Sequence, residues 1–289
     1  MKSESFKNLL FLIPALLLLA LILWPFLNGV RWAFSDFLLS RPDDIQFNWG
    51  TNIINVLTPG SREFKALVNT LQFTVLTVSI QLVLGFGIAQ LLTDSSRFNK
   101  IMRVVVVLPL LVPPVVAAVL WKTILTDRGV VNYLLELIGI GKLNWFGSVD
   151  MAMWSVVMID TWIYTPFVIM ICLAGLQSIP SEIVEAAKVD GTRYFTRLWY
   201  IILPLMKPFI ILVVLFRGID TLKIFDVIWA TTKGGPLKST ETLHTLAYQQ
   251  GVTYLDFGRS MAVLFVLWVA CYLLSFFLLR KRKQEISHA

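Results

Sequence analysis

Six long apolar runs separated by shorter polar stretches organise this chain: Leu9–Val30, Val68–Leu92, Val104–Leu125, Ala152–Leu176, Phe209–Ala230 and Met261–Leu279. A helix needs about 20 mostly apolar residues to cross a hydrocarbon core, and each run is close to that length. The pattern predicts an all-α membrane protein, a bundle of six transmembrane helices forming one domain over residues 1–289. The first run follows Lys2 and Lys7, as a secretory leader would, but it is too long for one. It also continues into Trp24-Pro25-Phe26 without a small-residue cleavage site, so it reads as an uncleaved span.

The third run contains Pro109, Pro113 and Pro114. Proline removes a backbone donor and bends a helix, which a span tolerates where neighbours re-satisfy the freed carbonyls. A kink or break is expected here. It suits a span that lines a cavity or changes shape, and it suits a static bend fixed by packing equally well.

Between the fourth and fifth runs lies a polar stretch, Ser181–Pro204. Ser181 follows Pro180 as an expected N-cap, and Glu182 and Glu185 fall in the first two turns, where a helix N-terminus favours negative charge. Gly191 supplies a left-handed stop. From Thr192 a second helix is expected, with Phe195, Leu198, Trp199 and Ile202 on one face and Arg193 and Arg197 on the other. Two short helices joined at a glycine make a compact knob; the helical pattern alone fits an amphipathic hairpin on the bilayer surface equally well.

Composition supports the membrane reading. The chain has 289 residues, 57% of them apolar, a mean hydropathy of +0.74 and only 15% charged residues, where soluble domains carry about a quarter. The net charge of +7 does not point to nucleic acid, because the basic residues are scattered at span ends rather than gathered into one patch. Their placement reports orientation. With the N-terminus inside, the cytoplasmic segments hold 13 basic residues in about 58, including the run from Arg280 to Lys283, against 10 in about 95 outside. Both termini and the Glu185 loop are therefore expected in the cytoplasm. Cys172 and Cys271 both fall within spans and read as packing residues rather than a disulfide.

Ionisable residues inside spans are costly and normally face the protein interior or a wet cavity. Arg217, Asp220, Lys223 and Asp226 alternate in sign at steps of three along the fifth run. They read either as groups lining a translocation path or as a self-neutralised ladder. Asp160 in the fourth run stands near Trp162 and Tyr164, a carboxylate beside aromatic plates that would suit a sugar's hydroxyls and apolar face. Asp160 can equally pair with Arg217 or Lys223 across helices. Trp24, Trp32, Trp121, Trp199 and Trp229 lie near span ends, as interfacial anchors do.

The chain lacks a G-x-x-x-x-G-K-[ST] phosphate loop, since Gly139-Ile140-Gly141-Lys142 has neither the spacing nor the hydroxyl residue. This chain therefore offers no phosphate-loop nucleotide site of its own. His244 and His288, the only histidines, lie outside the runs and read as solvated surface residues. An intramembrane zinc site or Ser-His hydrolase is hard to assemble from them.

Glu185-Ala186-Ala187, three residues, Gly191, nine residues and Ile201-Ile202-Leu203-Pro204 together resemble the cytoplasmic signature loop of ATP-binding-cassette importer permeases. Leu108-Pro109 and the Pro113 to Trp121 stretch, Leu173 to Pro180, Phe225-Asp226-Val227-Ile228 with Gly234-Gly235-Pro236, and Asp256 to Gly258 resemble the maltose and glycerol-3-phosphate type of carbohydrate permease. The resemblance implies a permease, not an enzyme, translocating a sugar or polyol by alternating access in the bacterial or archaeal inner membrane. Its implied partners are a second homologous permease, two ATPase subunits that carry ATP and Mg, and an extracytoplasmic solute-binding protein. It assigns coupling to Glu185, Ala186, Ala187, Asp190, Gly191, Leu203 and Pro204. An ATP-independent carrier or channel is the alternative, weakened by the absence of an inverted repeat; an intramembrane enzyme would have only Asp220 and Asp226 to work with.

Overall fold

A computed structural model describes the backbone of residues 2–287 and the side chains of residues 12–280. His288 and the side chains of Lys2, Lys7, Lys281, Arg282 and Lys283 lie outside the described residues, and with them part of the basic runs that orient the chain. About three quarters of the chain is helical. The helices are α1 (Lys2–Ala33), α2 (Thr51–Leu57), α3 (Arg62–Leu91), α4 (Arg97–Val107), α5 (Pro114–Ile124), α6 (Val130–Leu137), α7 (Val149–Ser178), α8 (Ser181–Val189), α9 (Tyr194–Arg197), α10 (Leu203–Leu222), α11 (Asp226–Thr231), α12 (Leu243–Tyr248) and α13 (Phe257–Ser287). A two-residue antiparallel hairpin pairs β1 (Ser35–Asp36) with β2 (Gln46–Phe47) in the register Ser35 to Phe47.

Among the described residues, five segments are long and apolar enough to cross a membrane: Leu12–Ala33, Arg62–Leu91, Val149–Ser178, Tyr194–Thr231 and Phe257–Arg280. The sixth is the expected proline-rich run, and it is broken. Arg97–Leu111 and Pro114–Ile124 meet at 94°. A 3₁₀ turn, Leu108–Leu111, ends the first half. Val112 and Pro113 are then extended, with ψ of 124° and 136°, because each precedes a proline whose ring excludes the helical conformation from the residue before it. Pro114 opens α5, where a missing N–H costs nothing.

The chain forms two compact units, residues 1–64 with 246–268, and residues 65–245 with 269–289. In the first, Asp36 accepts hydrogen bonds from Asn48 (2.8 Å) and Asn52 (3.4 Å), which fastens the hairpin to α2. Leu39 N–H bonds to the Leu255 carbonyl and Gly258 N–H to that of Phe37. A Cβ at Gly258 would stand 2.3 Å from the Ser35 carbonyl oxygen, so glycine alone admits this crossing.

The second unit is centred on α7, whose Ala152, Val156, Ile159, Ile163, Val168 and Cys172 are all buried. Against it lies a stripe of α3: Phe73, Thr77, Gln81, Gly85 and Ala89, buried at the four-residue spacing of one helix face. Two clusters result, one around Phe73, Val156, Ile159 and Val227, the other around Ala89, Val168, Cys172 and Met206. Most other long apolar side chains of the spans are exposed, as a bilayer requires.

Candidate functional site

The polar loop grows directly out of α7. Ile179 is extended (ψ 124°) because it precedes Pro180, so the chain re-enters a helix only after the proline. Ser181 is thus the first helical residue, not the expected cap; Pro180 occupies the cap and no side chain bonds there. Glu182 and Glu185 are exposed on α8, and Ala187 is buried beneath it.

Asp190 caps the C-terminus of α8 and Gly191 follows at φ +72°. Gly191 N–H donates to the Lys188 carbonyl at 3.0 Å and Thr192 N–H to that of Ala187 at 3.2 Å. These two bonds form a Schellman closure. A Cβ on Gly191 would meet nothing within 4 Å, so the sign of φ, not space, selects glycine. The Thr192 hydroxyl also bonds to Ala187. With both its donors committed to that closure, Thr192 does not open the second helix as expected; Arg193 caps it and Tyr194 begins it.

That second helix is not a separate short element either. From α9 the chain passes through one π turn, Leu198–Ile202, into α10. The wide turn precedes Pro204, which lacks the N–H that an α-helix would direct at the Tyr200 carbonyl and whose ring would crowd it. Leu203 and Pro204 are therefore the first residues of α10, and the expected knob is α8 plus the opening turns of the fifth span.

Deep in the same unit, Arg217 (α10) donates from Nη2 to Asp160 Oδ2 (α7) at 2.6 Å and from Nε to Gln81 Oε1 (α3) at 2.9 Å. Gln81 Nε2 returns a bond to Asp160 Oδ2 at 3.0 Å. Asp160 and Arg217 are each 1% exposed. The guanidinium carbon lies 4.0 Å above the centre of the Tyr164 ring, a cation–π contact. Three spans are thus joined by one buried network. Asp160 Oδ1 has no hydrogen-bond partner among the described residues.

Of the sequence candidates, Asp160, Tyr164 and Arg217 meet at this network. Trp162 does not; it packs edge-on against Trp121, ring centres 5.7 Å apart. The self-neutralised ladder, one of the two readings of these four charges, is not formed on one helix. Asp220 pairs with Arg217 at 3.5 Å but is mostly exposed, and α10 then ends at Leu222, so Lys223 and Asp226 stand exposed on either side of a break. His244 occupies that break. It is half-buried rather than solvated, its Nδ1 lies 2.7 Å from the Lys223 carbonyl, and its ring packs 5.2 Å from that of Phe225. A carbonyl only accepts, so Nδ1 carries the proton.

Gln81 and His244 were not among the sequence candidates. Gln81 had a signal, a polar residue on the small and polar stripe of α3; the place of His244 depends on a break that periodicity does not reveal. The Gly234-Gly235-Pro236 segment folds back on itself, with the Thr240 hydroxyl bonded to the Gly235 carbonyl, and Asn69 of α3 donates to the Lys238 and Glu241 carbonyls, both at 3.0 Å.

Residues 81–281 match the family described as binding-protein-dependent transport system inner membrane component. The chain is 34% identical over 198 residues to the trehalose/maltose transport system permease protein MalF of Thermococcus litoralis, covering 68% of this chain and 67% of that one. It is 31% identical over 268 residues to the sulfoquinovosyl glycerol transport system permease protein SmoG of Agrobacterium fabrum, covering 92% and 87%. A chain in the crystal structure of a bacterial ABC transporter that imports the polysaccharide alginate shares the fold, with a TM-score of 0.81 at 20% identity over 98% of this chain and 96% of that one.

Proposed function

The chain belongs to the family of binding-protein-dependent transport system inner membrane components, and from that premise we propose that it is the sugar- or polyol-translocating permease of an ATP-driven importer, coupled to separate ATPase subunits through the Glu185 loop. As a family member it is a multi-pass inner-membrane permease and not itself an enzyme. The sugar class is supported by relatives that carry trehalose, maltose and sulfoquinovosyl glycerol. A second permease, two ATPases holding ATP and Mg, and an extracytoplasmic binding protein complete the machine, with both termini and the loop in the cytoplasm.

One observation carries the coupling reading: α8 is tied at both ends to spans. Only two residues separate it from α7, and it leads, through the rigid Gly191 turn and the π turn, into α10 without a flexible break. An ATPase that shifts α8 as it closes on nucleotide would act on α7 and α10 at once.

Those two spans are pinned to each other at Asp160 and Arg217, so a relative movement must strain or exchange the buried bonds. A strained or exchanged network is a second arrangement of the same three spans. Alternating access needs such a pair of states, each favoured by different contacts. Asp220, Lys223 and Asp226, exposed around the break in the fifth span, and Trp162 and Tyr164 on α7 are the side chains we assign to the solute path, since interrupted spans supply polar backbone where solutes cross.

The test is uptake by the reconstituted complex with a panel of radiolabelled sugars and polyols, with and without ATP. The expected result is uptake of one of them that depends on ATP and on the Glu185 loop. Uptake unchanged without nucleotide would overturn the proposal.

A further inference from the structure

A groove of about 700 Å³ lies between the ends of α3 and α7 and the α8–α9 turn. Its floor is apolar, with Val83, Ile88 and Leu176 among the lining residues, while Lys188 and Arg197 stand at its polar end. These two cations come from opposite sides of the Gly191 turn. Neither has an ion-pair partner among the described residues. Arg197 directs one N–H at the Thr192 carbonyl, a long 3.4 Å contact, which leaves most of its fork available.

Asp94 also lines the groove, but the Arg103 guanidinium covers the Leu92, Thr93 and Asp94 carbonyls beside it, so the polar end stays net positive. Along the outside of α9 and the π turn, Phe195, Trp199 and Tyr200 are 65–79% exposed. Such rings at the end of a span mark the headgroup level of a bilayer.

We propose that this groove binds an anionic phospholipid, its headgroup phosphate between Lys188 and Arg197 and its acyl chains along the apolar floor. Each part of the ligand answers a part of the groove. A zwitterionic lipid would bring its own cation to an end that is already positive, and a soluble anion would leave the apolar floor wet. Basic pockets between spans are the recognised setting for anionic headgroups, and a guanidinium can hold a phosphate through two parallel bonds. Because Lys188 and Arg197 flank Gly191, one bound headgroup bridges α8 to α9 across the turn.

The experiment is native mass spectrometry of the assembled complex, titrated in detergent with phosphatidylglycerol or phosphatidylcholine. Phosphatidylglycerol should be retained preferentially, and Lys188→Gln and Arg197→Gln should each weaken its retention about fivefold, equivalent to about 1 kcal/mol. Arg193→Gln, which alters a cation outside the groove, should leave retention unchanged and so controls for general surface charge. Equal loss in all three variants overturns the proposal. So does equal retention of both lipids, displacement of the lipid by millimolar inorganic phosphate, or binding to the isolated permease that vanishes in the full complex, which would mean that a partner protein covers the groove.

Discussion

Arg217 and Asp160 face each other at 2.6 Å, both almost wholly buried, on two spans that are 57 positions apart in the chain. Such a pair is weak evidence for stability, since desolvating both ions offsets much of their attraction, yet removing one partner strands the other. Arg217→Ala should therefore destabilise the permease by about 3–5 kcal/mol, read as lost yield and a lowered thermal midpoint in detergent. The double replacement Asp160→Asn with Arg217→Gln removes both charges and should recover most of that loss. If the recovered protein transports normally, the charges serve packing; if it is stable but does not transport, they act in translocation.

At Gly191 the backbone, not the surroundings, sets the requirement. Gly191→Val should cost about 1–2 kcal/mol at the turn because a side chain disfavours positive φ, and Gly191→Asn should cost less, since asparagine tolerates that region. The complex should assemble in both cases, with ATP-driven uptake falling more for valine than for asparagine. Equal uptake by glycine and valine forms would separate the turn from coupling.

Two glycines one helical half-turn apart on α3 give opposite expectations. A Cβ at Gly85 would stand 2.6 Å from Val168 Cγ1, while at Gly87 it meets nothing within 4 Å. Gly85→Ala should destabilise by about 1–3 kcal/mol through overpacking, and Gly87→Ala should be neutral or slightly stabilising through helix propensity. Thermal midpoints of the two purified variants decide the matter.

His244→Ala removes the donor to the Lys223 carbonyl at the break in the fifth span. A loss of about 1 kcal/mol is expected from the missing bond, with His244→Asn, which retains a donor, falling less. A thermal midpoint equal to wild type in His244→Ala would mean that the bond does not hold the break.

What the sequence determined by itself is everything that depends on local patterning: six apolar runs, the proline-driven break in the third, the glycine turn after α8, and the family motifs around Glu185. Run length, proline stereochemistry and the sign of φ act within a few residues, so they can be read along the chain. Tertiary structure decided which polar residues meet. Gln81, Asp160 and Arg217 are brought together from α3, α7 and α10 by helix packing around the Gly85 and Val168 contact. The four charges of the fifth run do not share one helix because α10 ends at Leu222, where His244, from a distant segment, takes up the Lys223 carbonyl. No period in a single span encodes a partner that arrives from another one.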